Sequence, residues 1–238
     1  MTALLTIENL TAGYGKQPVL HGVSLEIQPK SVFALIGPNG HGKTTLLRCL
    51  SGLMAHKAEK LIFDGQDIAA TPSHIRVARG LIHVPQGDQL FRDMSVEENL
   101  LMGAYLRDDP DAVQTSLADV YKFFPRLGER RAQIVNSLSG GERRMAGIGR
   151  GLMAAGQFMM IDEPSLGLAP LIIEQIYDGL KALATSGRTI LIVEENPMRI
   201  VEIADHMALM DGGQVVWAGS PAALTTEKKI MQTYFGVA

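Results

Sequence analysis

The apolar positions of the chain alternate, cluster and spread out in turn, and each pattern predicts a different element. Leu4–Leu10 alternates apolar and polar residues like a half-buried strand. Val23–Ile27 alternates again, and Pro29 closes it. Between them, Tyr14-Gly15-Lys16 reads as a turn. Val32–Ile36 is a short continuous apolar run, as expected of a strand buried on both faces. A glycine-rich loop follows, then a helical pattern over Thr44–Leu53, then a short strand, Leu61–Phe63, ended by Asp64-Gly65.

From about residue 88 to 137 the character changes. Glu97–Tyr105, Asp111–Phe124 and Arg126–Arg131 are helical patterns, broken at Pro110 and Pro125. This stretch predicts an inserted helical subdomain. The β/α pattern then resumes with a buried strand at Phe158–Ile161, a helix over Leu171–Ala184 and a buried strand at Thr189–Val193. Ala208–Met210, the Asp211-Gly212-Gly213 turn and Gln214–Ala218 predict a hairpin. The expectation is one α/β domain of 238 residues with an insertion, and 46% hydrophobic residues are enough to fill its core.

A net charge of −3 argues against nucleic acid as the main partner. The single cysteine, Cys49, excludes an intramolecular disulfide. Residues Met1–Asn9 lack a basic segment and a long apolar run, so no signal peptide is expected. No apolar run approaches the roughly 18–20 residues that span a bilayer. The longest candidate, Met145–Ile161, is interrupted by Arg150 and several glycines. Met145, Met153, Met159 and Met160 read as core filler.

The first chemical signal is Gly37-Pro38-Asn39-Gly40-His41-Gly42-Lys43-Thr44, which fits the phosphate-binding pattern G-x-x-x-x-G-K-[ST] between a predicted strand and a predicted helix. The glycines let backbone N–H groups approach a triphosphate, and the helix N-terminus favours its charge. Lys43 is expected to reach the β- and γ-phosphates, and Thr44 to offer its hydroxyl to Mg²⁺; Thr45 completes the loop. His41 reads as a tolerated loop side chain. The second signal is Asp162-Glu163 at the end of an apolar strand, the edge where open α/β sheets bind ligands. Asp162 is expected to hold Mg²⁺ through water, and Glu163 to orient or deprotonate the attacking water. The third is Leu138-Ser139-Gly140-Gly141-Glu142-Arg143-Arg144, a second anion-binding helix N-terminus. Its bland alternative is an ordinary serine N-cap.

With these motifs in this order, nearly the whole chain resembles the ABC (ATP-binding cassette) ATPase family. The resemblance implies a P-loop NTPase core of the RecA-like type, with an N-terminal antiparallel β subdomain and the helical subdomain inserted. It implies ATP and Mg²⁺ as ligands. Tyr14 resembles the aromatic that stacks on adenine, and Gln86 the glutamine that touches Mg²⁺ or the attacking water. In the family, two subunits pair head to tail, so Ser139, Gly140, Gly141 and Glu142 would cover ATP held by the partner's P-loop. Phe124–Arg131 and Asp162–Pro170 resemble the ATPase subunits of branched-chain amino acid importers, whose relatives move urea, amides and aromatic acids. That implies a second ATPase subunit, transmembrane permeases, a periplasmic or extracellular solute-binding protein, and a peripheral place on the cytoplasmic face of the membrane.

The chain departs from the family pattern at two positions. Ala169 stands where many members have an aspartate, and Glu195 where most have a histidine that helps place the attacking water. Glu195 is a third candidate catalytic residue, and its carboxylate would face the phosphate and Glu163. This chain's own ATP site is therefore expected to be slower than its partner's. The competing readings fit less well. A DNA-repair member would carry a long coiled coil, a translation member two cassettes, and a P-loop kinase no second anion loop. An exporter ATPase shares every nucleotide motif.

Overall fold

The computed structural model describes residues 2–87 and 89–236. The alternating segments build an antiparallel sheet. In it β1 (Leu5–Tyr14) pairs with β2 (Gln17–Ile27) on one side and β5 (Lys60–Phe63) on the other. The short β4 (His56–Lys57) also pairs with β1, and β6 (Gln66–Asp67) extends the sheet beyond β5. The first strand runs past Leu10 to Tyr14. Register shifts after Ile7, Leu10 and Ala12, with Asn9 at φ +51°, break the alternation that would have betrayed its full length.

The second sheet comprises β3 (Val32–Ile36), β7 (Leu81–Val84), β8 (Phe158–Asp162), β9 (Thr189–Glu194), β10 (His206–Asp211) and β11 (Gln214–Gly219). Their order is β11-β10-β3-β9-β8-β7, parallel throughout except for the β10–β11 hairpin. The continuous apolar runs are explained by two cores, one on each face. Val32, Ala34 and Ile36 of β3 enter one core, together with Met159 and Ile161 of β8 and Ile190 and Ile192 of β9. Their neighbours Phe33, Leu35, Phe158, Met160, Leu191 and Val193 enter the other, which the antiparallel sheet closes. The four methionines expected in the core are all buried.

The antiparallel-sheet core also holds α1 (Lys43–Leu50). The opposite core is covered by α3 (Val96–Met102), α4 (Pro110–Phe123), α5 (Pro125–Glu129), α6 (Gly140–Met153) and α7 (Pro170–Ala184). Helix α6 packs on α3, α4 and α5, so the helix that follows Ser139 completes the helical layer beyond residue 137. Helix α3 stops at Met102, short of the expected Tyr105, where Gly103 lies so near α6 that a Cβ would stand 2.0 Å from the Arg150 carbonyl. The sequence patterns did not reveal α2 (Ser73–Ala78), α8 (Pro221–Thr226), α9 (Lys228–Phe235) or β7. Four residues containing His83 are too few to show a period.

Helix α1 ends at Leu50 rather than Leu53. There the Ser51 hydroxyl donates to the Leu47 carbonyl at 2.7 Å, and Gly52, at φ +71°, turns the chain away. The last carbonyls of a helix have no partner within it. Here the buried guanidinium of Arg76, from α2, takes them: Nη1 donates to the Cys49 and Leu50 carbonyls at 2.8 and 2.7 Å. Its Nε and Nη2 donate to the Thr71 and Ala69 carbonyls at 2.8 and 3.2 Å. Arg76→Met should keep the volume, remove four donated bonds, leave the Leu50 carbonyl without its guanidinium donor and lower unfolding free energy by about 2–4 kcal/mol. Urea unfolding checks this; a loss below about 1 kcal/mol would mean that water replaces the guanidinium.

Candidate active site

The parallel order β3-β9-β8-β7 delivers four loops to one edge of the sheet. They carry Gly37–Thr45 after β3, Glu194-Glu195 at the end of β9, Asp162-Glu163 at the end of β8 and Gln86 after β7. The glycines of the first loop have physical reasons. Gly37, at φ +145°, lies where a Cβ would meet the Met210 carbonyl at 2.1 Å. Gly42, at φ +102°, is the N-cap of α1 and offers no side-chain cap. The helices α3, α4 and α6 are capped by Ser95, Asp109 and Ser139. The first N–H groups of α1 therefore meet no capping side chain, and its first turn holds no acid, an arrangement suited to an anion.

Lys43 is only 3% exposed. Its Nζ donates to the Gly37 and Pro38 carbonyls at 2.7 and 2.9 Å and lies 3.8 Å from Glu163 Oε1. Burial lowers its pKa, against the pull of Glu163, Glu195, Asp162 and Glu194. Asp162 is fully buried, and neither carboxylate oxygen has a well-formed hydrogen bond among the described residues. Burial pushes its carboxyl up, opposed by the nearby Thr44 hydroxyl and by Arg144, Lys43 and Arg48. A buried carboxylate with unmatched oxygens beside a threonine hydroxyl fits a hard cation such as Mg²⁺.

Glu163 adopts φ +46°, a left-handed conformation that turns its side chain out of the strand end. Its N–H donates to the Val193 carbonyl at 3.0 Å, and its Oε2 accepts from Gln86 Nε2 at 3.1 Å. Burial raises its carboxyl pKa. Lys43 opposes the rise, and Asp162, Glu194 and Glu195 add to it. Glu195, expected to face Glu163, is exposed and accepts from Asn39 Nδ2 of the first loop at 3.0 Å. His41 points out of the loop to the β10–β11 hairpin, with Nδ1 2.7 Å from Asp211 Oδ1. The Asp211 carboxylate also accepts from the Tyr234 hydroxyl at 2.9 Å. Tyr14 is half exposed at the end of β1, and its hydroxyl accepts from Arg48 Nη1 at 3.2 Å.

Ser139 caps α6 in a reciprocal box. Its hydroxyl donates to Glu142 Oε2 at 2.8 Å and accepts from the Glu142 N–H at 3.3 Å. Burial opposes ionisation of Glu142, but the Ser139 hydrogen bonds, then Arg130 and Arg126, hold its carboxyl below the usual range. Arg130 Nε lies 2.7 Å from Glu142 Oε1. Ser139 is thus committed to its own helix start rather than to Gly37–Thr45. Gly141 has no room for a side chain, since a Cβ would stand 2.2 Å from Ile172 of α7. Gly140 lines a cavity of about 410 Å³ with Gln86, Arg144 and Glu163.

Arg144 closes the third sequence motif, which gave it no role. Its Nη1 donates to the Pro85 and Gly87 carbonyls at 2.7 and 2.6 Å, and its Nη2 to the Asp162 carbonyl at 2.6 Å. One buried guanidinium so ties the Gln86 loop to the carboxylate strand. Its only sequence signal was a place in the helix after Glu142.

A family model described as ABC transporter matches residues 20–166. The chain is 37% identical over 233 residues to the high-affinity branched-chain amino acid transport ATP-binding protein BraG of Pseudomonas aeruginosa, covering 98% of this chain and all of that protein. It is 32% identical over 236 residues to the lipopolysaccharide export system ATP-binding protein LptB of Escherichia coli, covering 98% of each. A crystal structure of an ATP-binding cassette of an ABC transporter in its ADP conformation superposes with a TM-score of 0.84 at 26% identity over 98% of each chain. The phosphate loop, the carboxylate strand and these likenesses agree: the chain belongs to the ABC transporter family, as an ATPase subunit whose hydrolysis of ATP is coupled to transport.

Proposed function

We propose that the chain binds Mg-ATP at Gly37–Thr45, hydrolyses it with Glu163 as general base, and powers an importer of branched-chain amino acids or related small solutes. One observation carries the chemical part: buried Lys43 stands between the first-loop carbonyls and Glu163, at a helix start with no side-chain cap. A triphosphate would take over Lys43 from these carbonyls and receive the free N–H groups of α1. Asp162, Thr44 and Gln86 would hold Mg²⁺, which when bound neutralises phosphate charge. Gln86 and Glu163 would then place the attacking water, with Glu163 accepting its proton. Tyr14 would stack on adenine, adding about 1–3 kcal/mol.

The composite arrangement is part of the same proposal. Ser139, Gly140, Gly141 and Glu142 would cover ATP on a second ATPase subunit placed head to tail. Glu195, bonded to Asn39, would act on the first loop and make this chain's own site the slower of the two. A groove of about 850 Å³ is lined by Val77, Met102, Tyr105 and Leu106, and Tyr105 is 81% exposed. Exposed apolar surface of this kind suits a protein partner, and a permease would seat there. Among the described residues no helix is long and apolar enough to cross a membrane, so the permeases would supply the span. The proposed site of action is the membrane's cytoplasmic face, with a solute-binding protein outside.

The BraG likeness supports the importer reading and the LptB likeness an exporter reading. The intact complex, purified with its permeases and placed in vesicles, distinguishes them: ATP-driven accumulation of labelled leucine or a related small solute supports import. ATP turnover stimulated by a lipid substrate, without solute accumulation, would favour export.

The base assignment gives a prediction with a sign. A general base works when ionised, so raising its pKa moves the loss of activity on acidification to higher pH. For this chain kcat/KM for Mg-ATP should fall while the pH is still above the ordinary glutamate value of about 4.3. Glu163→Gln should keep ATP binding and slow turnover by about 100-fold or more. A pH–rate profile and equilibrium nucleotide binding check both; turnover retained in the glutamine variant would remove Glu163 from the role.

A further inference from the structure

Glu194 ends β9 beside Glu195, is 2% exposed, and has no part in the chemistry described above. A buried carboxylate is costly unless its oxygens are hydrogen-bonded. Here its named partners are all donors. Oε2 accepts from the hydroxyls of Ser165, at 2.8 Å, and Tyr177. Oε1 accepts from the Glu195 N–H at 3.0 Å and from Arg199 Nη1 at 3.3 Å. Arg199 also donates to the Ser165 hydroxyl, which closes the network.

The donors come from separate segments. Ser165 lies two residues after Glu163, in the connection to α7. Tyr177 belongs to α7, and Arg199 to the turn Pro197–Arg199 that follows Glu195. Within the connection the backbone bonds are long, Leu166 to Glu163 and Leu168 to Ser165 both at 3.3 Å, and Leu166 is exposed. The Glu163 N–H is itself fixed to Val193, next to Glu194.

We propose that Glu194 is a positioning residue, whose carboxylate holds the connection after Glu163 and the turn carrying Glu195 in one fixed arrangement. The proposal rests on the reading of Glu163 as the base. Glu194 touches no reacting atom. It acts by fixing the backbone on both sides of the water-activating carboxylate, where a small misplacement slows the chemical step. Removing the carboxylate takes away the acceptor shared by the Ser165 and Tyr177 hydroxyls, the Glu195 N–H and Arg199, and leaves only the Arg199–Ser165 bond, which loosens residues 164–169 and 195–199 relative to each other.

The test uses the full-length chain with Glu194→Ala and Glu194→Gln, and Ser165→Ala and Tyr177→Phe in case loss of the buried carboxylate prevents folding. Hydrogen exchange should rise in residues 163–169 and 194–199 of Glu194→Ala and stay unchanged elsewhere. The kcat for Mg-ATP should fall about tenfold with KM and nucleotide affinity within about twofold, and Glu194→Gln should recover part of the loss. Ser165→Ala and Tyr177→Phe should each show a smaller fall of the same kind. Exchange raised evenly through the chain, or KM rising in step with falling kcat, would overturn the proposal. Glu163→Gln separates the two readings. Normal turnover in that variant overturns the base assignment, whereas normal turnover in Glu194→Ala beside an inactive Glu163→Gln overturns only the positioning role.

Discussion

One buried ammonium faces four carboxylates in this protein. Glu163, Glu195, Asp162 and Glu194 all favour the charged form of Lys43, and Glu163 is in contact with it, at 3.8 Å. Burying it disfavours its charge, and burying Asp162 and Glu163 disfavours theirs. Breaking a buried ion pair by removing one partner typically costs about 3–5 kcal/mol, so Lys43 and Glu163 constrain one another. The pairing is incomplete: among the described residues the oxygens of Asp162 have no well-formed hydrogen bond, and Glu163 stands 3.8 Å from Lys43. An anionic substrate arriving with a cation would complete it, with the substrate taking Lys43 and the N–H groups of α1 and the cation taking Asp162.

The fold serves this arrangement. Placing β9 between β3 and β8 puts Glu194 and Glu195 between the phosphate loop and the Asp162-Glu163 pair. The left-handed backbone at Glu163, a strain of about 1–2 kcal/mol, is held by its bond to Val193 and by the Gln86 amide. Arg144 links the Gln86 loop to β8 from the helical side, and Glu194 links the connection after Glu163 to α7. Charged side chains whose hydrogen bonds tie separate segments together thus supply the rigidity that the proposed base, Glu163, would need.

Much of this was legible in the sequence because local rules carry it. A glycine that must adopt positive φ, an apolar run between two cores, and carboxylates at a strand end all leave marks within a few residues. Gly37, Gly42, Val32–Ile36 and Asp162-Glu163 are such cases. What stayed hidden is set by long-range partners. Arg144 gains its role only when the Pro85 and Gly87 carbonyls, nearly sixty residues earlier in the chain, are brought to it. Arg76 lies in a segment with no sequence signal, and its role appears only where it closes the end of α1. Glu195 stands out in the sequence as a departure from the family pattern, but its partner, Asn39, depends on the sheet order. His41 was read as a tolerated loop side chain, and its bond to Asp211 depends on the β10–β11 hairpin.

The central claim is that the site is an electrostatic frame completed by a triphosphate, with Lys43 as its fixed cation. Equilibrium binding of Mg-ATP to Lys43→Ala tests it most directly, because the variant removes the buried cation and leaves Asp162 and Glu163 without it. The account predicts that Kd rises by at least about 30-fold, the equivalent of about 2 kcal/mol, with the fold intact. A Kd within about twofold of the unaltered chain would contradict it.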